Sequence, residues 1–156
     1  MLTNQTVSLD DARTAADAAL AAASAGDGPV AVCVTNENGD TAYLVRQDGT
    51  SAMDVRNAER KAYTAAFIGR DTSIYRLQIA HDGRTVADWS DDRVTTLHGG
   101  WTLRRESQVI GGIGVAGSGD EDRDERLALA GAEAAARLAV EAWRAQNTPR
   151  RPGPST

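Results

Sequence analysis

The run Val109-Ile-Gly-Gly-Ile-Gly-Val-Ala-Gly-Ser-Gly-Asp120 constrains the fold more than any other stretch of this chain. It sets β-forming apolar residues between glycines, empties into a small-residue turn, and is followed at once by an alanine-rich helical pattern. Glycine weakens a strand interior, so Gly111, Gly112 and Gly114 imply that another backbone, a side chain or a ligand comes close there. The turn itself is not a phosphate cradle. Asp120, Glu121, Asp122, Asp124 and Glu125 would repel an anion, and they already complement the helix dipole. Nor is it a calcium loop, because Glu125 and Gly131 stand where the sixth-position glycine and twelfth-position glutamate belong.

The remaining elements follow from local signals. Ser8-Leu-Asp-Asp11 is a capping box that opens an alanine-rich helix to about Ser24. Pro29–Thr35 is a continuously apolar strand, Asn38-Gly39 is a hairpin turn, and Thr41–Arg46 returns as the partner strand. Ser51-Ala-Met-Asp54 is a second capping box, and its helix runs to about Ile68, with Gly69 at the C-cap. A shorter helix starts at Asp71 or Thr72. The polar stretch from His81 to Leu97 reads as a loop, with a possible short strand near Val94. Trp101–Arg105 and Val109–Ala116 form a second hairpin, and a long helix runs from Glu121 to about Ala145. Residues 147–156 are Pro/Arg-rich and read as a disordered tail after a single domain spanning 1–146. Hairpins flanked by helices predict an α+β fold: an antiparallel sheet of four to five strands, with the first and last helices together on one face.

Composition narrows the function. A net charge of −5 lacks the basic face of a nucleic-acid binder, and no apolar run is long enough to span a membrane. The N-terminus carries no signal-peptide pattern, so a cytoplasmic protein is the expectation. Cys33, the sole cysteine, lies in an apolar run and reads as a small buried hydrophobe. Arginine supplies all but one of the 17 basic residues, the exception being Lys61. This bias, with abundant alanine and aspartate, suggests a GC-rich bacterial genome.

Several motifs taken in order resemble the GlcG/HbpS-like family of heme-binding and heme-degrading proteins, which also supplies the C-terminal domain of PduO-type proteins. They are Asn38-Gly-Asp40 with Arg46-Gln-Asp-Gly49, Ala58-Glu-Arg-Lys-Ala-Tyr-Thr-Ala65, Gly99-Gly100, Ile110–Gly117 and Asp124-Glu125. The resemblance covers roughly residues 8–140. It implies a profilin-like sheet with flanking helices, assembly into homo-oligomers, and heme as a possible cofactor. The chain departs from the family pattern at Trp101-Thr102, where a Val/Ile-Pro step is usual, and at Ala116, where serine is usual. Both changes fall at the expected pocket and imply a reshaped ligand.

That pocket is expected between the Ser51–Ile68 helix, the His98–Trp101 segment and the glycine strand. Lys61 and Asp54 lie together at the edge of the helix's apolar stripe, about 10 Å apart, with Asn57 nearby. Lys61 can meet an acidic group or act as a base if desolvated, whereas Asp54 is already accounted for as a cap. His98, leading into Gly99-Gly100, is the better-placed general base or axial heme ligand, and His81 the weaker one. Trp89 and Trp101 would suit a flat ligand, or else simply fill a core or an interface. Gly112 and Gly114 would let such a ligand approach the strand. Two histidines without a cysteine partner do not make a metal site at the usual spacing. Three functions stay open: a binder of heme or another planar ligand, a cofactor-independent enzyme of bacterial secondary metabolism using Lys61 and His98, and an oligomeric structural subunit.

Overall fold

The computed structural model describes residues 5–23 and 26–148. The element order is α1 (Leu9–Ala22), β1 (Ala31–Asn36), β2 (Thr41–Arg46), α2 (Ala52–Thr64), α3 (Thr72–His81), β3 (Gly100–Arg105), β4 (Gln108–Ala116) and α4 (Glu121–Asn147). A single π turn, Ala65–Gly69, prolongs α2, and a 3-10 turn, Val86–Trp89, lies in the loop before β3. The four strands form one antiparallel sheet in the order β2-β1-β4-β3. The fold is therefore α+β with an open four-stranded sheet, at the lower end of the expected strand count. Val94 is buried, but it sits in irregular structure and not in a strand. Of the expected tail, only Asn147 and Thr148 fall among the described residues, Asn147 as the last residue of α4.

The sheet is covered on both sides, and strand alternation sorts its side chains. Val32 and Val34 of β1, Ile113 and Val115 of β4, and Leu103 of β3 join Ala12, Ala15, Ala16 and Ala19 of α1 and Leu127 and Ala128 of α4 in the main core. Ala31, Cys33 and Ala116 point the other way, against Ala58 and Ala62 of α2. Burial on both faces explains why β1 reads as continuously apolar and not alternating. It also settles Cys33. Desolvation pushes its thiol up to about 12, with a hydrogen bond to Thr41 opposing the shift. Cys33 is expected to resist iodoacetamide in the folded protein and to react at the normal rate in urea. Fast alkylation of the native protein would contradict this placement.

The helix ends confirm one cap fully and the other in half. Ser8 and Asp11 exchange both capping bonds. Ser51 Oγ accepts from the Asp54 amide at 3.0 Å, but the Asp54 carboxylate turns to the Ser51 hydroxyl at 2.7 Å and leaves the N-cap amide unreached. Asp54 is thus engaged in its own first turn.

Candidate functional site

α2 lies close on the glycine strand because nothing stands between them. A Cβ on Gly114 would run into Ala58 O and come within 2.5 Å of Ala62 N. One on Gly112 would run into Ala62 O and meet Ala66 N at 2.9 Å. The space over both glycines is filled by the backbone of α2, so they serve helix packing and offer no surface to a ligand.

This close packing carries Lys61 beneath the end of β4. It is 2% exposed, and its ammonium donates to Val115 O at 2.8 Å and to Asp124 Oδ2 at 3.0 Å. Asp124, 5% exposed near the start of α4, spends its other oxygen on the Ser118 amide at 3.1 Å. The pair thereby ties α2, the end of β4 and α4 together. Gly99 completes the arrangement. Its φ is +116°, and a Cβ there would lie 2.7 Å from Val115 O and 3.0 Å from Lys61 Nζ. An ammonium has three donors, and among the described residues Lys61 uses two. Its two acceptors, the Val115 carbonyl and the Asp124 carboxylate, leave one N–H without an acceptor among the described residues.

Beside Lys61 opens a cleft of about 290 Å³, lined by Asp54, Asn57, Leu97, Ala116, Gly117, Gly119, Asp120, Glu121 and Asp124. Three of the residues singled out in the sequence, Asp54, Asn57 and Lys61, therefore share one wall. The others go elsewhere. His98 is not among the cleft's lining residues; its Nδ1 lies 3.1 Å from Asp122 Oδ1, with the side chain 24% exposed. Gly100 gives its amide to Thr72 Oγ1, and a Cβ on it would run into Lys61 O. Trp101 packs against the main core, on the α4 face of the sheet, because odd positions of β3 face away from α2. Trp89 is exposed, donates to the Tyr75 hydroxyl and stands edge-on to Phe67 at 6.0 Å between ring centres, beside the π turn. His81 is solvated at the end of α3, 3.2 Å from Asp82.

Two groupings escaped sequence reading. The Lys61–Asp124 pair is one. In sequence Asp124 is one of several acids at a helix start, yet it precedes Leu127 and Ala128 by three and four positions and so shares their buried face. The other is a clasp around Asp91. Hydrogen bonds from Arg93, then Tyr63, hold the Asp91 carboxyl down at about 2. Burial, then Asp91, pushes the Tyr63 phenol up, while Arg93 lies over the Tyr63 ring at 4.2 Å. No local sequence signal links Tyr63 to residues 28 and 30 positions on.

A family model described as haem degrading protein HbpS-like matches residues 7–133. The chain belongs to the HbpS-like family. A double mutant of HbpS from Streptomyces reticuli is 32% identical, with a TM-score of 0.76 over 85% of this chain and 89% of that one. The ORFY protein of Klebsiella pneumoniae, 23% identical, superposes with a TM-score of 0.77 over 86% of this chain and 94% of its own. PduOC in a complex with heme, 24% identical, gives 0.73 over 83% and 94%. At these identities the last two speak for the fold alone. No curated protein sequence matches significantly. No helix of this HbpS-like chain, among the described residues, is long and apolar enough to cross a membrane.

Proposed function

We propose that this HbpS-like protein binds a small planar ligand, heme first among them, in the cleft beside Lys61. The observation that carries the reading is the buried ammonium at the cleft wall with one donor that no described residue takes up. Leu97 and Ala116 give that wall apolar surface, and Asn57 adds a polar group that can orient a guest, the usual make-up of a ligand site. The family's description favours a tetrapyrrole, and a protein of the same fold, PduOC, forms a complex with heme. The cleft's carboxylates restrict the pose: Asp54, Asp120 and Glu121 repel acidic substituents, so one hydrogen-bond acceptor of the ligand reaches Lys61 while the remaining acid groups stay in solvent. Self-association belongs to the same reading, supported by the exposed Val140 and Trp143 in a groove along α4.

Titrating the protein with hemin while following the Soret band tests this. A saturable shift is expected, and Asn57→Trp, which places bulk in the cleft from a half-buried position, should weaken it by about tenfold or more, a loss of about 1.4 kcal/mol. Absence of a shift would end the heme reading. A shift that Asn57→Trp leaves untouched would move the ligand out of this cleft. Neither arm depends on His98.

A further inference from the structure

We infer that His98, Asp122 and Glu125 form a binding site for a divalent transition-metal ion, separate from the Lys61 cleft. One ligand atom from each residue lies within 4.8 Å of the other two. The three come from two segments distant in sequence. His98 stands in the loop ahead of β3, while Asp122 and Glu125 are three positions apart on α4 and share a face.

The loop carrying His98 is held on both sides. The Leu97 amide donates to Thr95 Oγ1, and Gly100 is bonded to Thr72 of α3. Glu125 is gripped from α3 by the Ser73 hydroxyl, which leaves one carboxylate oxygen committed and the group oriented. Among the described residues, Asp122 is held by the Asp120 cap at its amide and by His98 at its carboxylate. An outer-shell bond of the Ser73 kind is what orients ligands in metal sites.

The chemistry of the donors selects the ion. One imidazole and two carboxylates suit zinc and its first-row neighbours. Bond lengths of about 2.1 Å would set tetrahedral ligand atoms about 3.4 Å apart, so an ion would replace the 3.1 Å hydrogen bond between His98 Nδ1 and Asp122 Oδ1 and draw together a set now within 4.8 Å. Three protein ligands leave one coordination position open to water or a small anion. Two carboxylates against a neutral imidazole also supply the charge a dication needs. Arg76 of α3 pairs with Glu121, which is not in the set.

Sequence spacing could not show this, since the histidine and the carboxylates are 24 and 27 positions apart. The site rests on no part of the heme reading, and its test uses the metal-free protein without hemin. Cobalt(II) titration followed by visible absorbance, with zinc competition by calorimetry, reads it directly. One equivalent of cobalt with ligand-field bands is expected, displaced by zinc. His98→Ala and Glu125→Gln should each weaken binding more than the about 10–100-fold cost of losing an outer-shell partner. Both alter half-buried or exposed groups away from the core, and circular dichroism verifies their folding. Failure of the wild-type protein to bind, or either variant retaining wild-type affinity, would overturn the site and leave an adventitious ion only.

Discussion

Gly114→Ala is expected to destabilise the protein by at least the 1–3 kcal/mol typical of overpacking. The new methyl would run into Ala58 O and approach Ala62 N to 2.5 Å and Lys61 Cβ to 2.9 Å. Two of these neighbours are backbone atoms of α2, so no side chain can swing aside and the whole helix must lift from the sheet. Lifting it also draws Lys61 away from Val115 O and Asp124, so the cost includes strain on the buried pair. Gly26→Ala is the matched control, because a methyl there meets nothing within 4 Å. Urea unfolding measures both. Equal midpoints for Gly114→Ala and wild type would show that α2 does not lie as close as described.

Asp124→Ala is expected to cost about 3–5 kcal/mol, the loss incurred when one partner of a buried ion pair is removed. The Lys61 ammonium would keep Val115 O but lose the one carboxylate paired with it among the described residues, at a position where it is only 2% exposed. The Ser118 amide would lose its acceptor as well. Against a total stability of about 5–15 kcal/mol, such a loss can leave the single variant partly unfolded. The double variant Lys61→Met/Asp124→Leu keeps the idea testable. Apolar replacement of both partners is often neutral, so most of the stability should return. A double-mutant cycle by denaturation gives the coupling energy. A single-variant loss under about 1 kcal/mol, within the range of exposed pairs, would rule out a buried pair of this kind.

The two variants also separate two roles for Lys61. If it is only a structural tie, the double variant should bind hemin as the wild type does. If its third donor meets a ligand, as proposed, the double variant folds but binds more weakly.

Much of the architecture was legible in local sequence. Ser8 with Asp11, Asn38-Gly39 and Gly69 each mark a boundary by short-range chemistry, and each boundary lies where expected. The glycines of the 109–117 run announced a close approach, but the pocket expected between the Ser51–Ile68 helix and the strand is filled at Gly112 and Gly114 by the backbone of α2. What they could not announce was the identity of the approaching group. A glycine tolerates a helix backbone or a ligand equally well, and only the position of α2 decides between them.

The same division runs through the candidate site. Asp54, Asn57 and Lys61 sit on one helix face at three- and four-residue spacing, and that spacing alone brought them to a common wall. Trp101 and His98 depend instead on which way a strand and a loop turn. A single step along β3 sends Trp101 to the opposite face of the sheet, and the turn at Gly99 directs His98 toward α4.

By itself, then, the sequence determined the elements, the antiparallel α+β class and the family, because capping, turn chemistry and apolar period act within a few residues. Only the tertiary structure decided that Lys61 is paired with Asp124, that α2 covers Gly112 and Gly114, and that His98 meets Asp122 and Glu125. Those facts depend on contacts between residues 24 to 63 positions apart, and a distance through space is not written in a spacing along the chain.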